Sequence, residues 1–182
     1  MNPANCTLYS SGLKGAETAF GEAAEKTGVA EVIYSFAGHK LSREKNVVIL
    51  SQEELERGDI SMELASRMMN RTYYETDKIR KVLQTIFHMV NNGHQIFVVG
   101  AIQEDASVKG GTGWAVELAK IFNRPLHVFD QPEKKWFTWK GGRWQEDNPR
   151  IEYDTFVGSG TRYLSEAGHN AIAKLFADSF VS

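Results

Sequence analysis

Short runs of β-branched and aromatic residues recur along the chain, separated by longer segments in which apolar side chains follow a helical spacing. The runs at residues 6–9, 29–35, 46–50, 95–100 and 125–130 predict five strands. The fourth run is apolar almost throughout, which is the pattern of a strand buried on both faces of a parallel sheet. These runs therefore predict a sheet whose strands are joined mainly by helices.

The clearest helix is predicted between the third and fourth strands, where apolar side chains repeat at i, i+3, i+4 and i+7: Ile79, Val82, Leu83, Ile86, Phe87 and Val90. Upstream, Ser51 and Ser61 each precede acidic residues in the manner of a helix cap. They predict two shorter helices, the second running towards Arg71. Residues 114–122 are apolar around most of a helical circumference and predict a buried helix.

The pattern changes in the last third of the chain. Trp136, Trp139 and Trp144 flank a Gly141-Gly142 turn and predict a β-hairpin stabilised by aromatic pairs. Helical spacing at residues 164–176 predicts a last helix. The tryptophans can also stack on nucleic-acid bases, but stapling of the hairpin is the more common use of such residues.

Alternation of strands and helices predicts an α/β fold, a three-layer sandwich with a mainly parallel sheet of order 3-2-1-4-5 plus the C-terminal hairpin and helix. The 182 residues suit a single domain, 1–182, with its core at about 5–130 and the hairpin and terminal helix at 131–182. In this order the first and fourth strands are neighbours. The loops that leave their carboxyl ends are therefore expected to face one crevice, where open α/β sheets bind ligands.

Both of these loops are rich in glycine. Glycine lets backbone N–H groups approach a ligand, and the amino end of a helix adds partial positive charge, so phosphate is the expected ligand. For each loop alone, a tight strand-to-helix turn is as good an interpretation as a binding site. Binding is favoured because both loops are expected to face the same crevice. The candidate binding residues are Ser11, Gly12, Lys14 and Gly15 in the first loop and Gly110, Gly111, Thr112 and Gly113 in the second.

Composition narrows the classes of function. The net charge of −2 gives no general attraction to nucleic acid or to an anionic membrane, and no apolar run approaches the roughly 20 residues that span a bilayer. Cys6 is the single cysteine, so no internal disulfide forms, and the first residues lack the pattern of a secretory signal. The five histidines show no metal-ligand spacing. We expect a cytoplasmic protein with no resident metal or cofactor.

Two short motifs carry a resemblance to a known superfamily. The run from Gly110 to Glu117 resembles the Gly-Gly-x-Gly-Thr-x-x-Glu signature of LOG-type phosphoribohydrolases, and the run from Ser11 to Glu17 resembles the first glycine-rich loop of the DprA and YpsA branches. Together they resemble the SLOG superfamily of Rossmann-like nucleotide-binding domains. The resemblance implies a nucleotide or phosphorylated nucleoside as ligand and a homodimer as the assembly.

The resemblance also implies roles for two charged residues. Glu117 is an isolated carboxylate in its segment, which by itself suits either a solvent-facing position or a site. It falls on the motif glutamate that LOG enzymes use in cleaving the N-glycosidic bond of a nucleoside 5′-monophosphate. Arg80 resembles the arginine of the preceding helix, and Arg71 is a rival for that role.

Two departures from the LOG signature weaken the enzymatic interpretation. Lys109 replaces its proline, and Trp114 replaces its second threonine, so that the indole either covers a ribose or base or packs in the core. The leading hypothesis is nucleotide binding at the two loops, with phosphoribohydrolase activity as the reaction to test. The alternative is a non-catalytic sensor or carrier of the YpsA or molybdenum-cofactor-carrier kind, and a single-strand DNA module is a minor third.

Overall fold

Eight β-strands form one sheet in the part of the chain that the computed structural model describes, residues 1–73 and 76–180. The strands are β1 (Thr7–Ser10), β2 (Ala30–Phe36), β3 (Val47–Leu50), β4 (Gln95–Gly100), β5 (Leu126–Asp130), β6 (Lys135–Lys140), β7 (Arg143–Asp147) and β8 (Thr155–Gly160). The helices are α1 (Ala16–Thr27), α2 (Gln52–Glu56), α3 (Asp59–Met69), α4 (Asp77–Asn92), α5 (Thr112–Ile121) and α6 (Glu166–Ser179). Residues 181–182 of the predicted domain lie outside the described residues.

The sheet confirms the predicted fold class and corrects the predicted strand order. The observed order is β3-β2-β1-β8-β4-β5-β6-β7, with β8 parallel to both β1 and β4. The prediction that the first and fourth strands are neighbours is therefore wrong, because the chain returns from the hairpin and inserts β8 between them. The hairpin itself is confirmed, and β6 extends the sheet by pairing antiparallel with β5.

The sequence of β8 explains why the pattern did not reveal it. The strand contains two glycines and few apolar residues, a composition typical of a loop. Gly158 is required because α1 lies directly on the strand: a Cβ there would be 2.4 Å from the Phe20 ring. Gly160 has φ +152° and would place a Cβ 2.4 Å from the Val99 carbonyl oxygen. Close packing, rather than strand propensity, selects these residues.

Helices cover both faces of the sheet, as the three-layer prediction requires. One core contains residues of α3, α4 and α5, among them Met62, Met89 and Trp114. The other lies under α1 and α6, where Phe20 packs against Phe176. The predicted helices of the first face are confirmed, although α3 begins at Asp59. Among the described residues, no helix has the length and apolar character needed to cross a membrane.

Candidate functional site

The carboxyl ends of β1, β8 and β4 lie along one edge of the sheet, which we call the carboxyl edge. Loop 1 (residues 11–15) follows β1, the β8 exit (residues 161–165) follows β8, and loop 2 (residues 101–111) follows β4. The β8 exit lies between the two loops: Thr161 N donates to Val99 O at 2.9 Å, and Ala16 N donates to Thr161 O at 3.0 Å. Loops 1 and 2 thus share an edge, but β8 separates the strands from which they emerge.

Loop 1 encloses the carboxylate of Glu17, a residue in the first turn of α1. Glu17 Oε2 accepts hydrogen bonds from Ser11 N (3.1 Å) and Leu13 N (3.0 Å), and Oε1 accepts one from Ser159 Oγ (3.1 Å). The Gly12 amide donates to Ser10 Oγ. The expectation that these amides are open to a ligand is corrected, because the chain's own side chains already accept their hydrogen bonds.

The predicted binding residues of loop 1 differ in accessibility. Ser11 is buried, and its hydroxyl lies 3.0 Å from Thr85 Oγ1 on α4. Gly12 is buried as well. Lys14 is exposed, and the amides of Lys14 and Gly15 have no acceptor within the described part of the chain. The amides of loop 1 without an acceptor therefore lie in its second half, where Gly15 packs against Thr161 of the β8 exit.

Burial raises the pKa of Glu17 to about 7, in spite of hydrogen bonds from Leu13, Ser159 and Ser11 that favour the charged form. The nearby carboxylate of Glu31 adds to the upward shift of this pKa. Glu17 is 4% exposed. It is therefore a structural carboxyl group that joins β1, α1 and β8, and that titrates near neutral pH.

Loop 2 folds back over the end of β4 and is braced by an arginine from another part of the chain. A bridge pairs Ile102 with Val108, and Asp130 at the end of β5 accepts a hydrogen bond from Ile102 N at 2.7 Å. Arg71 donates to the carbonyl oxygens of Gly110 and Val108, each at 2.9 Å. It also donates to the side chains of Gln103 and Ser107. These bonds hold the carbonyl groups of Val108 and Gly110 in fixed orientations.

Three consecutive amides at the start of α5 have no acceptor among the described residues: those of Gly110, Gly111 and Thr112. Because Arg71 holds the Gly110 carbonyl and the peptide bond is trans, the Gly111 N–H points away from the guanidinium. A Cβ at Gly110 or Gly111 would meet no atom within 4 Å, so the space beside these backbone atoms is open. Such open amides at the amino terminus of a helix are able to donate hydrogen bonds to an anion.

Glu117 lies on a largely buried side of α5 and forms an ion pair within its own helix. Its Oε2 accepts from Lys120 Nζ at 3.2 Å, and the side chain is 9% exposed. The same ammonium lies 4.0 Å from the centroid of the Trp139 ring. Trp144 donates its indole N–H to Ala106 O in loop 2. Lys120 therefore joins Glu117 to loop 2, through Ala106 O, and to the Trp139 ring of the hairpin, and its charge offsets that of Glu117.

The structure places the two candidate arginines differently. Arg80 pairs with Asp59 at 2.7 Å and lies over the Tyr73 ring, so it is bound to α3. Arg71 is the arginine that contacts the glycine motif. Trp114, the residue that departs from the LOG signature, is 2% exposed and packs against Tyr73. Its indole therefore packs in the core and does not cover a ligand.

The roles of Glu17 and Asp130 are not evident from the sequence, and Arg71 stands there only as a rival to Arg80. Glu17 lies only four residues beyond Leu13, so its side chain can reach back into loop 1. This short spacing within the motif is the sequence feature that could have indicated its role. The bond from Arg71 to Gly110 spans 39 residues, and nothing in the local pattern indicates it.

Comparisons with protein-family models, with curated proteins and with solved structures each find no match. The SLOG resemblance stays a prediction that rests on the two glycine motifs. Among the described residues, no group of three or more His, Cys, Asp or Glu side chains is placed to hold a metal ion.

Proposed function

We propose that the carboxyl edge binds a nucleotide or phosphorylated nucleoside, as the SLOG resemblance implies. The phosphate accepts hydrogen bonds from the amides of Gly110, Gly111 and Thr112, and the Thr112 hydroxyl adds a donor. Lys14 on loop 1 and Lys109 on loop 2 are exposed cations at the same edge. Loop 2 also carries the exposed acids Glu104 and Asp105, so the attraction for a phosphate depends on the backbone donors rather than on an excess of cations.

One observation carries this proposal. Among the described residues, the amides of Gly110, Gly111 and Thr112 have no acceptor, and Arg71 braces the loop that presents them. Four hydrogen bonds from Arg71 hold loop 2 in place before any ligand arrives. A preorganised set of donors binds an anion more tightly than a flexible one, because less entropy is lost on binding.

The reaction to test first is hydrolysis of the N-glycosidic bond. Water adds to the anomeric carbon, the bond to the base breaks with its electron pair going to the base, and the base takes up a proton. Positive charge develops on the ribose, and a carboxylate close to it lowers the barrier. Glu117 follows the phosphate-binding amides on α5 and is the carboxylate we propose for this role.

The second candidate function is a non-catalytic sensor or carrier of the same ligand. The ion pair between Glu117 and Lys120 favours it, because the ammonium offsets the charge that the reaction needs. A single-strand DNA module receives less support. Trp136 is 9% exposed, and Trp139 and Trp144 pack edge to face on each other. These rings staple the hairpin and do not form an open stacking surface.

The homodimer implied by the resemblance remains a proposal, and one surface suits it. Ile60, Leu64 and Met68 are exposed along one side of α3. Glu63 and Arg67 flank this stripe and form no ion pair within the described chain. If two copies pack α3 antiparallel about a two-fold axis, Glu63 of each copy faces Arg67 of the other.

The proposal is tested by incubating the purified protein with AMP, GMP, CMP and UMP. Calorimetry measures binding, and chromatography of the mixture measures released base. Saturable binding of at least one monophosphate supports the proposal, and released base assigns the enzymatic branch. Absence of both binding and free base with all four compounds contradicts it. Mass spectrometry of whatever co-purifies with the protein identifies the base.

A further inference from the structure

A cavity lies at the edge of the sheet opposite the carboxyl edge. Its volume is about 510 Å³, and it lies where β4 and β5 begin and β6 ends, with Asp147 as its contribution from β7. The connection from β7 to β8 closes one side. Loops 1 and 2 take no part in it. Cavities of several hundred Å³ are typical of sites for small molecules.

The wall of this cavity contains a directional chain of buried hydrogen bonds. The side-chain amide of Gln95 is oriented by the main chain, because its Oε1 accepts from Glu152 N and its Nε2 donates to Arg150 O. Nε2 therefore has its second hydrogen for His127 Nε2, at 3.0 Å. With that nitrogen as an acceptor, His127 carries its proton on Nδ1.

The chain continues from His127 to a carboxylate. His127 Nδ1 donates to Thr138 Oγ1 at 2.7 Å, and Thr138 donates to Asp147 Oδ2 at 2.7 Å. Burial lowers the pKa of His127 to about 4, so the imidazole is neutral at physiological pH. Gln95, His127 and Thr138 are each less than 9% exposed. The wall is therefore a fixed arrangement of dipoles and not a mobile surface.

Cations surround this wall. Lys140 and Arg150 are exposed and form no ion pair among the described residues. Arg124 donates to the Asn91 carbonyl, and its buried Nε has no acceptor in the described part of the chain. Two acids also line the cavity. Asp147 uses both oxygens to accept hydrogen bonds, and Glu152 is exposed.

The cavity has an excess of positive charge, because three cations and two carboxylates line it. One of these carboxylates, Asp147, already accepts hydrogen bonds from Thr138 and Asn148. Low-dielectric walls concentrate such a field within a concave site. Guanidinium and ammonium groups that lack a partner bind carboxylate and phosphate oxygens through short, charge-assisted hydrogen bonds.

We propose that this cavity is a binding site for a small anion that carries a carboxylate or a phosphate, held by Arg124, Lys140 and Arg150 against the polar wall at His127. The site is separate from the carboxyl edge and does not depend on the function proposed there.

The test is a titration of the ¹⁵N-labelled 182-residue chain by NMR, with inorganic phosphate in one arm and succinate in the other. The side-chain amide of Gln95 and the imidazole of His127 report on this cavity. The amides of Gly110 and Gly111 report separately on the carboxyl edge. Saturable shifts of the first pair are expected in at least one arm, and the arm that responds identifies phosphate or carboxylate as the group bound.

The variant Lys140→Ala/Arg150→Ala is expected to weaken this binding at least tenfold. Both side chains are exposed, and the Arg150 carbonyl that orients Gln95 is retained, so the fold is preserved. The control is Lys26→Ala, an exposed lysine at the end of α1, which leaves the affinity unchanged. Shifts confined to Gly110 and Gly111, no shifts at all, or equal affinity in the double variant would each overturn the proposal and indicate an adventitious ion only.

Discussion

Glu17 accepts a hydrogen bond from the main-chain N–H of Ser11 at 3.1 Å, inside the loop that resembles an anion-binding loop. The group that occupies this loop is a carboxyl group of the chain itself. Loop 1 is therefore a junction between β1, α1 and β8, and the open backbone donors of the carboxyl edge lie at the second half of loop 1 and at the start of α5. This division of roles leads to predictions that separate stability from binding.

The first prediction concerns the pH dependence of stability. The pKa of Glu17 is raised from its ordinary 4.5 to about 7, so the folded state binds this proton more tightly than the unfolded state. The stabilisation is fully present below pH 4.5 and is lost as the pH rises towards 7. The loss amounts to about 3 kcal/mol in the free energy of unfolding. Glu17→Gln, which stays neutral, removes this dependence.

The measurement is urea denaturation of the wild type and the variant between pH 5 and 8. The quantity to compare is the difference between them, because His127, with its lowered pKa, contributes the opposite trend over part of this range. Glu22→Gln, an exposed site on the same helix, is the control and leaves the curve unchanged. A variant curve parallel to that of the wild type shows that Glu17 does not titrate in this range.

The second prediction separates ligand binding from folding at the amino end of α5. Gly111 has helical φ and ψ of −60° and −28°, and a Cβ there meets no atom within 4 Å. Gly111→Ala therefore folds normally and raises the free energy of unfolding by at most about 1 kcal/mol. The added methyl group covers the open amides, so we expect the affinity for a nucleoside monophosphate to fall at least tenfold.

Calorimetry with the monophosphate that binds the wild type checks this effect, and thermal unfolding checks the fold. Thr112→Ser keeps the hydroxyl donor and is the control, with an affinity within about twofold of wild type. Unchanged affinity in Gly111→Ala would place the ligand away from loop 2.

The third prediction distinguishes the two arginines. Arg71→Ala removes four hydrogen bonds from loop 2 and is expected to cost about 2 kcal/mol of stability. Arg80→Ala removes a partly exposed ion pair with Asp59 and is expected to cost less than about 1 kcal/mol. Hydrogen exchange at the amides of Lys109 and Gly113, which donate to the carbonyl oxygens of Ala101 and Gly110, should be faster in the first variant and unchanged in the second. Equal exchange in both variants would show that Arg71 does not brace the loop.

The sequence patterns predict the helix and sheet layers of this fold but not β8, the strand in the middle of the sheet. The repeat from Ile79 to Val90 identified α4 because its apolar stripe is read from local spacing. The sequence pattern does not predict β8, because its two glycines are required by close contacts with Phe20 and Val99, which are distant in sequence. The same reason applies to the site. Gly110 and Gly111 stand out in the sequence, whereas the bonds that fix loop 2 depend on how the chain folds.

The fourth prediction concerns assembly. Leu64 lies at the middle of the exposed apolar stripe of α3, so Leu64→Glu should convert a dimer to a monomer in sedimentation experiments. Ile49→Glu, at an exposed apolar site on β3, is the control and stays dimeric. Glu63→Arg alone should weaken the dimer by like-charge contact with Arg67, and adding Arg67→Glu should restore it. A wild-type chain that sediments as a monomer at high concentration contradicts the proposed surface.

The last prediction decides between enzyme and sensor. Glu117 contacts Lys120 and not the open amides of loop 2, so Glu117→Gln should leave the affinity for a monophosphate within about threefold of wild type. If the wild type releases free base, the variant should release it at least a hundredfold more slowly, because an amide cannot offset the positive charge that develops on the ribose. Glu22→Gln, an exposed acid on α1 outside both proposed sites, is the control for both measurements. Release of base at the wild-type rate by Glu117→Gln would exclude this carboxylate from the reaction, and saturable binding without any release by the wild type would assign the chain to the sensor class.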